Sequence, residues 1–315
     1  MKNKITVIVP IAPNQKPKTL ETLKKIVKPK NTEIELLISY GNHPSIQRNK
    51  ALKQAKGEII FFFDDDMVLD KNILVEALKT FGKNEKIMVV GGPALTTSRD
   101  SFKQKSFGFV LSSFFGACGM SSRYKAEGTE REAGEEDLIL CNLAARKKLF
   151  EKVGFFNEVL YPNEENEYFN RVKKAGLKLI YNPKMIASRS QRKNLRAFVK
   201  QLFRYGKGRA EHFIVSPEYF KPLFVVPSVF TLYLFSLLFF NSAWYLSLLG
   251  LYVIADLFFS LRIMLEKKSI FGGIVSAFLF PILHVSYGIG FIAGLFWFKF
   301  KKKTGFKAEV KKFVL

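Results

Sequence analysis

The chain has 315 residues, 48% of them hydrophobic, with 33 Phe and a formal net charge of +23 from 50 Lys+Arg against 27 Asp+Glu. That apolar load excludes a disordered basic tail, two cysteines exclude a disulfide framework or a four-cysteine zinc site, and three histidines argue against a His-rich metal centre. A charge of this size points to nucleic acid, anionic lipid or a phosphorylated substrate, a choice that position along the chain has to make.

The N-terminal half alternates strand and helix. Lys4–Pro10 (KITVIVP) reads as a buried strand of the parallel type, and its apolar run is too short for a signal peptide. Lys18–Val27 has helical spacing at Leu20, Leu23, Ile26 and Val27. Glu33–Ser39 (EIELLIS) is a second strand. Ser45–Lys56 is a helix with Ser45 as N-cap after Pro44, ended by Gly57. Glu58–Phe63 (EIIFFF) is a third strand that runs straight into Asp64-Asp65-Asp66. A helix over Lys71–Phe81 and a strand over Lys86–Gly91 continue the pattern. This alternation predicts an α/β fold, a Rossmann-like and mostly parallel sheet with helices on both faces. Ligands of such sheets bind beyond the carboxyl ends of the strands, where the aspartates sit. Asp64 and Asp66, alternate residues, can face one site. Two carboxylates plus diphosphate oxygens suit Mg2+ or Mn2+. Ser98–Gly134, rich in Ser, Gly and charge, reads as a mobile loop. Cys118 and Cys141 read as small buried hydrophobes.

Glu164–Lys174 looks helical, with acidic residues favourably placed at its start. Arg189–Arg209 carries eight Lys/Arg in 21 residues, with Leu195, Phe198, Val199, Leu202 and Phe203 supplying an apolar side. It predicts an interfacial basic helix at about 190–210 that meets anionic headgroups. Composition changes near Ser216. Residues 1–215 hold 39 Lys+Arg and 23 Asp+Glu (+16), and residues 216–315 hold 11 and 4 (+7). The expected division is therefore a soluble domain over 1–215 and a C-terminal α-helical membrane region over 216–315. Three apolar segments fill the second part: about 223–240, 243–264 and 270–298. About 20 apolar residues span a bilayer core. The third segment, uncharged over 29 residues and holding Pro281, His284 and five glycines, reads as interfacial, re-entrant or broken. The alternative is a plain third crossing with the basic tail outside. Lys267, Lys268 and the tail cluster Lys299, Lys301, Lys302 and Lys303 follow the second and third segments. The positive-inside rule places both clusters, and the basic N-terminal half, in the cytoplasm, so the first two segments form a hairpin that turns near Asn241-Ser242. The protein is then a multi-pass protein of the cytoplasmic membrane. His284 reads as a satisfied polar contact inside an apolar segment.

SIQRNKALKQAKGEIIFFFDDDMVLD resembles the (A/Q)RN…A.G….DxD signature of family 2 glycosyltransferases with the GT-A fold. Further downstream, CNLAARKKLFEKVGFFNE is similar to the acceptor-side segment of that family, YPNEENEYFNRVKKAGLKLIYNPKMIASRS to its "EDxEL..R…G….P" segment, and QLFRYGKGR to the Q..RY/W segment before its membrane helices. The overall layout is similar to membrane-anchored enzymes of exopolysaccharide and surface-glycan assembly, the succinoglycan-type transferases among them. The resemblance covers about residues 4–210.

It implies an inverting, metal-dependent transferase that moves a sugar from a nucleotide-sugar donor to a lipid-linked or membrane-associated glycan acceptor. Asp64 and Asp66 take the place of the DxD metal ligands, Asp64 also facing the donor. The base falls among Glu164, Glu165 and Glu167, with Glu165 at the position where the family usually has Asp. Pro10, Asn42, Arg48, Asn49, Gln201 and Arg204 correspond to donor-side positions, and Asn142 and Tyr205 to acceptor-side ones. The family often has a base-reading Asp at the end of the second strand, where this chain has Ser39-Tyr40-Gly41-Asn42. Two other readings remain: a polyprenyl-phosphate sugar synthase, and a non-catalytic basic protein that binds membranes. Nucleic acid is not an expected partner, since no RNA- or DNA-binding signature occurs and the basic residues are scattered.

Overall fold

The computed structural model describes residues 3–240, 242–298 and 307–314. The chain divides into two compact units, neither contiguous in sequence. The first holds Met1–Thr97, Ser122–Ser190 and Lys302–Leu315, and the second Ser98–Ser121 and Gln191–Lys301. The expected cut at Ser216 is thus replaced by two excursions out of the first unit.

From the N-terminus run β1 (Asn3–Ile11), α1 (Thr19–Leu23), β2 (Thr32–Gly41), α2 (Pro44–Leu52), β3 (Ile59–Phe63), β4 (Val68–Leu69), α3 (Ile73–Gly82), β5 (Ile87–Gly91) and β6 (Ala94–Thr96). Next come α4 (Phe102–Leu111) and α5 (Phe114–Ala117) of the second unit. The chain then returns to the first unit for β7 (Arg131–Glu132), β8 (Asn142–Arg146), α6 (Lys148–Val153), α7 (Glu164–Lys174), β9 (Lys178–Tyr181) and β10 (Ala187–Arg189). The second unit takes α8 (Leu195–Val215), α9 (Val226–Ser236), α10 (Ala243–Glu266) and α11 (Ile270–Trp297), and β11 (Ala308–Val314) closes the first.

The main sheet has the order β11-β2-β1-β3-β8-β5-β9-β7, with a small sheet β4-β10-β6 beside it. β2, β1 and β3 are mutually parallel and β9 is parallel to β5, whereas β8, β7 and β11 pair antiparallel with their neighbours. The sheet is therefore mixed rather than mostly parallel. The antiparallel members lie outside the strand-helix alternation of the first 95 residues, which is why that alternation alone pointed to parallel pairing. Successive residues of a strand face opposite sides. Phe61 and Phe63 accordingly enter the core cluster of Val7 and Val9, while Phe62 enters the cluster of Ile8 and Leu143 on the other face. All three rings are fully buried, so the end of β3 is held from both sides.

Several local expectations are corrected by packing. α2 begins at Pro44 with His43 in the cap position, and the Ser45 hydroxyl instead donates to the Leu160 carbonyl at 2.7 Å. Gly57 lies five residues beyond the end of α2. A Cβ there would come within 2.4 Å of the Thr6 nitrogen, so the glycine serves a close approach to β1 rather than helix termination. The stretch expected to be a mobile loop holds α4 and α5. A capping box, Ser101 with Gln104, starts α4, and Phe107 of α4 stacks on Phe198 of α8 at 4.3 Å within the second unit.

The apolar segments also differ from expectation. The first yields a 3₁₀ turn, Pro222–Val225, and only 11 residues of α-helix in α9, with Pro222 and Pro227 at its entrance. The third, expected to be interfacial, re-entrant or broken, is not broken: it is one continuous 28-residue helix with Pro281 inside it. By length and composition α10 and α11 are the two helices long and apolar enough to cross a membrane among the described residues. His284 uses both ring nitrogens, Nε2 at 3.0 Å from the Phe115 carbonyl and Nδ1 at 2.9 Å from the Tyr252 hydroxyl. A carbonyl only accepts, so Nε2 carries the proton. Asn241 and the tail lysines 299 and 301–303 lie outside the described residues.

Candidate active site

Asp64 is the first residue after β3, and its position is fixed by residues far away in sequence. Thr19, at the start of α1, donates its hydroxyl to the Asp64 carbonyl at 2.6 Å and accepts from the Met67 amide at 2.9 Å, while the Thr19 amide bonds the Asp65 carbonyl. The aspartate turn is thus clasped by α1. Arg48, on α2 and 4% exposed, reaches Asp64 Oδ1 with Nη2 at 2.8 Å and Glu164 Oε1 with Nη1 at 2.9 Å. Arg189, the last residue of β10, lies 3.5 Å from Asp64 Oδ2 and 3.3 Å from Asp66 Oδ2. Four segments, β3, α2, the start of α7 and β10, therefore converge on one cluster of three carboxylates and two guanidinium groups at the carboxyl end of β3.

The polar residues of α2 show why the chain folds this way locally. Gln47 donates to the carbonyls of Ile11 and Ser39 at 2.9 and 2.5 Å, tying the ends of β1 and β2 together. Asn49 donates to the Phe156 carbonyl at 2.8 Å and to Glu158 at 2.9 Å, and accepts from the Phe156 amide. Of the SIQRN stretch, Arg48 faces the carboxylates, while Ser45, Gln47 and Asn49 pin strand ends and the segment that leads to α7. Pro10 is buried at the end of β1, opposite Ser39, and Asn42 is exposed just after β2. Asn142 lies opposite Phe63 in the β3–β8 pairing, and its amide is taken up by the carbonyls of Pro93 and Met185 at 2.8 and 2.7 Å.

The three glutamates at the start of α7 have different surroundings. Glu167 forms a two-point ion pair with Arg171, one helical turn on, at 2.6 and 3.0 Å. Glu164 is buried against Arg48; burial and the neighbouring Glu165 charge push its pKa up to about 8 against the pull of Arg48. Glu165 keeps 15% of its side chain exposed and lies 3.7 Å from Arg123. Arg123 itself is buried and bonded to the Glu135 carbonyl and to Asn166 Oδ1. Burial and the flanking Asp66 and Asp64 push Asp65 above the ordinary carboxylate range, and burial pushes the Cys141 thiol up to about 12, so Cys141 stays protonated. Gln201, Arg204 and Tyr205 belong to the second unit: Gln201 donates to the Tyr205 hydroxyl at 2.6 Å and accepts from Arg192 at 2.9 Å, and Arg204 is exposed.

No group of three or more His, Cys, Asp or Glu side chains among the described residues is placed to hold a metal by itself. Asp64 and Asp66 nevertheless fit a divalent cation. Their carboxylates converge on one cation, the Arg189 guanidinium, and Asp66 Oδ1 is buried with no hydrogen-bond partner. Mg2+ commonly takes one or two carboxylates and completes its shell with substrate phosphates and water. Thr19, Arg123 and Arg189 went unrecognised as site residues in the sequence. Only Arg189 had a local signal, a basic residue within YNPKMIASRS.

Residues 6–154 match the family described as Glycosyl transferase family 2. The chain is a glycosyltransferase whose family 2 domain is followed in sequence by two helices long and apolar enough to cross a membrane. Among curated proteins, it is 22% identical over 281 residues to the dolichyl N-acetyl-alpha-D-glucosaminyl phosphate 3-beta-D-2,3-diacetamido-2,3-dideoxy-beta-D-glucuronosyltransferase of Methanococcus voltae, covering 88% of this chain and 84% of that one. Among solved structures, it resembles a mannosyltransferase of Pyrobaculum calidifontis in complex with GDP-mannose and Mn2+, with TM-score 0.58, 15% identity, 93% of this chain and 87% of that chain covered. The structural likeness establishes a GT-A type of fold.

Proposed function

We propose that the chain is an inverting glycosyltransferase acting at the cytoplasmic face of a membrane, and that it moves a sugar from a nucleotide-sugar to the hydroxyl of a lipid-linked glycan acceptor. The observation that carries this reading is the convergence of Asp64, Asp66 and the start of α7 through Arg48 and Arg189. Asp64 and Asp66 would hold Mg2+ or Mn2+, which when bound would supply charge neutralisation to the leaving nucleoside diphosphate. Arg189 offers a second cation to the same phosphates.

Glu165 is the base. It keeps solvent access and a looser ion contact, whereas Glu164 is committed to Arg48 and Glu167 to Arg171. Glu165 takes the proton of the acceptor hydroxyl as that oxygen bonds the anomeric carbon. The bond from this carbon to the diphosphate breaks on the opposite face, and the configuration inverts. Arg48 and Glu164 position Asp64 relative to α7.

The Methanococcus relative, named for transfer onto a dolichyl-phosphate-linked sugar, favours a glycan hydroxyl as acceptor over a bare polyprenyl phosphate. The test is to incubate the detergent-solubilised chain with UDP-, GDP- and dTDP-sugars, Mn2+ or Mg2+, and a lipid-linked acceptor. Glu165→Gln should lower kcat by about 10²–10⁴-fold with little change in KM. Unaltered turnover in that variant, or an acid-labile lipid monophosphate sugar as product, would overturn the assignment.

A further inference from the structure

We infer that Arg123 is the positioning residue of the base: it fixes the Glu165 carboxylate by an ion contact to one oxygen and leaves the other oxygen for the acceptor hydroxyl. This role rests on the assignment of Glu165 as base made above, and it falls to a residue outside every motif of the sequence.

Each glutamate at the start of α7 faces a different arginine. Glu164 is hydrogen-bonded to Arg48 at 2.9 Å, Glu167 is held at two points by Arg171 at 2.6 and 3.0 Å, and Glu165 lies 3.7 Å from Arg123 Nη1. The first two contacts fall in the hydrogen-bond range, where the carboxylate lone pairs are committed to the donor. The third is an ion contact beyond that range. It involves Oε1 alone, and Glu165 Oε2 makes no hydrogen bond or ion pair among the described residues. Glu165 is also the most exposed of the three side chains, at 15% against 4% and 6%. A base needs that access, since the acceptor oxygen must come within hydrogen-bond distance of it.

Arg123 is itself held on two sides. Its Nη2 donates to the Glu135 carbonyl and to Asn166 Oδ1, which leaves Nη1 facing Glu165. Asn166 follows Glu165 in α7, and its Nδ2 donates to Asn163 Oδ1. Asn163 precedes the helix with a φ of 85°, a left-handed conformation that Asn adopts more readily than most residues, and it sets the direction in which α7 begins. One guanidinium thus joins a backbone carbonyl, the turn that starts α7 and the base in its first turn. The stretch that carries Arg123 is fastened in the same unit. Asp137 accepts from the Ser122 hydroxyl at 3.0 Å, from Arg131 at 2.6 Å and from the Gly134 amide at 3.2 Å. Arg131 lies over the ring of Tyr181 on β9 at 4.3 Å, and the Tyr181 hydroxyl donates to the Lys125 carbonyl at 3.0 Å.

Packing alone does not explain a cation at this place. Arg123 is 6% exposed, and its Nε is buried with no hydrogen-bond partner among the described residues. An unpaired buried donor is destabilising, so a side chain kept only to close the loop would do better without it. What Nη1 faces accounts for the charge. Glutamate at a position where the family usually has Asp has one more rotatable bond, and restraining it costs side-chain entropy. A reacting group misplaced by about 1 Å can lose roughly 10²-fold in rate. The contact with Arg123 restrains the longer side chain without taking up its second oxygen.

The test is a double-mutant cycle on the full detergent-solubilised chain, with radiolabelled UDP-, GDP- and dTDP-sugars as donors, Mn2+, and a polyprenyl-linked sugar as acceptor. Arg123→Met removes the charge and the fork, and Arg123→Lys keeps the charge. Arg123→Met should lower kcat by about 10²-fold and Arg123→Lys by less, with KM for donor and acceptor changed by less than about threefold. In a Glu165→Gln background neither substitution should lower the residual kcat further, because a residue that acts through the base has nothing left to act on. Equal losses in the two backgrounds, or an unchanged kcat in Arg123→Met, overturn the inference and leave the base assignment standing. Full turnover in Glu165→Gln alone overturns the base assignment, and the role of Arg123 with it. If Arg123→Met does not fold, as read from its thermal unfolding, the cycle with Arg123→Lys decides by the same comparison.

Discussion

Arg48 is the residue on which most of the site's geometry depends. It is buried and sits between Asp64 and Glu164, and their charges raise its own pKa against the opposing effect of burial. Arg48→Ala leaves Asp64 and Glu164 without their shared hydrogen-bond partner and should lower unfolding stability by about 1–3 kcal/mol, read from urea denaturation of the detergent-solubilised chain. Glu164 adds a pH signature. Its pKa rises from 4.5 to about 8 on folding, so the folded chain binds the extra proton in that window. Stability should then fall as pH climbs from about 5 through 8, and Glu164→Gln should flatten that slope without inverting it. An unchanged slope in the Gln variant would place the titration elsewhere. These pairings were only partly legible in the sequence. DDD and RN stood out by motif context, but that Arg48 joins Asp64 to Glu164, 116 residues further on, depends on how α7 is brought back to α2.

At the scale of elements, the strand ending in three phenylalanines was readable because a strand buried on both faces carries no alternation. Phe62 packs edge-on against Phe150 and Phe156, and Phe62→Ala should cost about 3–5 kcal/mol, visible as a fall in denaturation midpoint. β11 was not readable. KAEVKKFV looked like a basic tail, yet Ala308 is buried, Val310 packs on the core, and Lys312 reaches the buried carboxylate of Glu35 at 2.6 Å. Burial pushes the Glu35 pKa up, but hydrogen bonds from Lys312, Thr6 and the Lys56 amide outweigh it and leave the group below its ordinary value. Removing residues 308–315 exposes the edge of β2 and takes Lys312 from Glu35. The truncated chain should be less stable and aggregate more readily, as measured by light scattering of the solubilised protein.

On the scale of the whole molecule, chain order and spatial order diverge. Two segments far apart in sequence build the second unit, and three build the first. Hydropathy, a sum over one helix, marks α11 as long and apolar enough to cross a membrane, while its glycines pack it closely against α8, whose exposed face is charged. By itself the sequence determined the α/β class, the strands β1, β2, β3 and β5 with the helices α1, α2 and α3 between them, the carboxylates at the end of β3, the helix that carries the glutamates, and apolar C-terminal helices that fit a membrane region. Those features follow from local periodicity and from motif spacing, which involve neighbours along the chain. Tertiary structure alone decided the antiparallel strands β7, β8 and β11, the bridging by Arg48 and Arg189, and the surroundings that distinguish Glu164, Glu165 and Glu167. Each of these depends on a partner more than 25 residues away or on burial, and a buried charge takes its meaning from whatever lies against it.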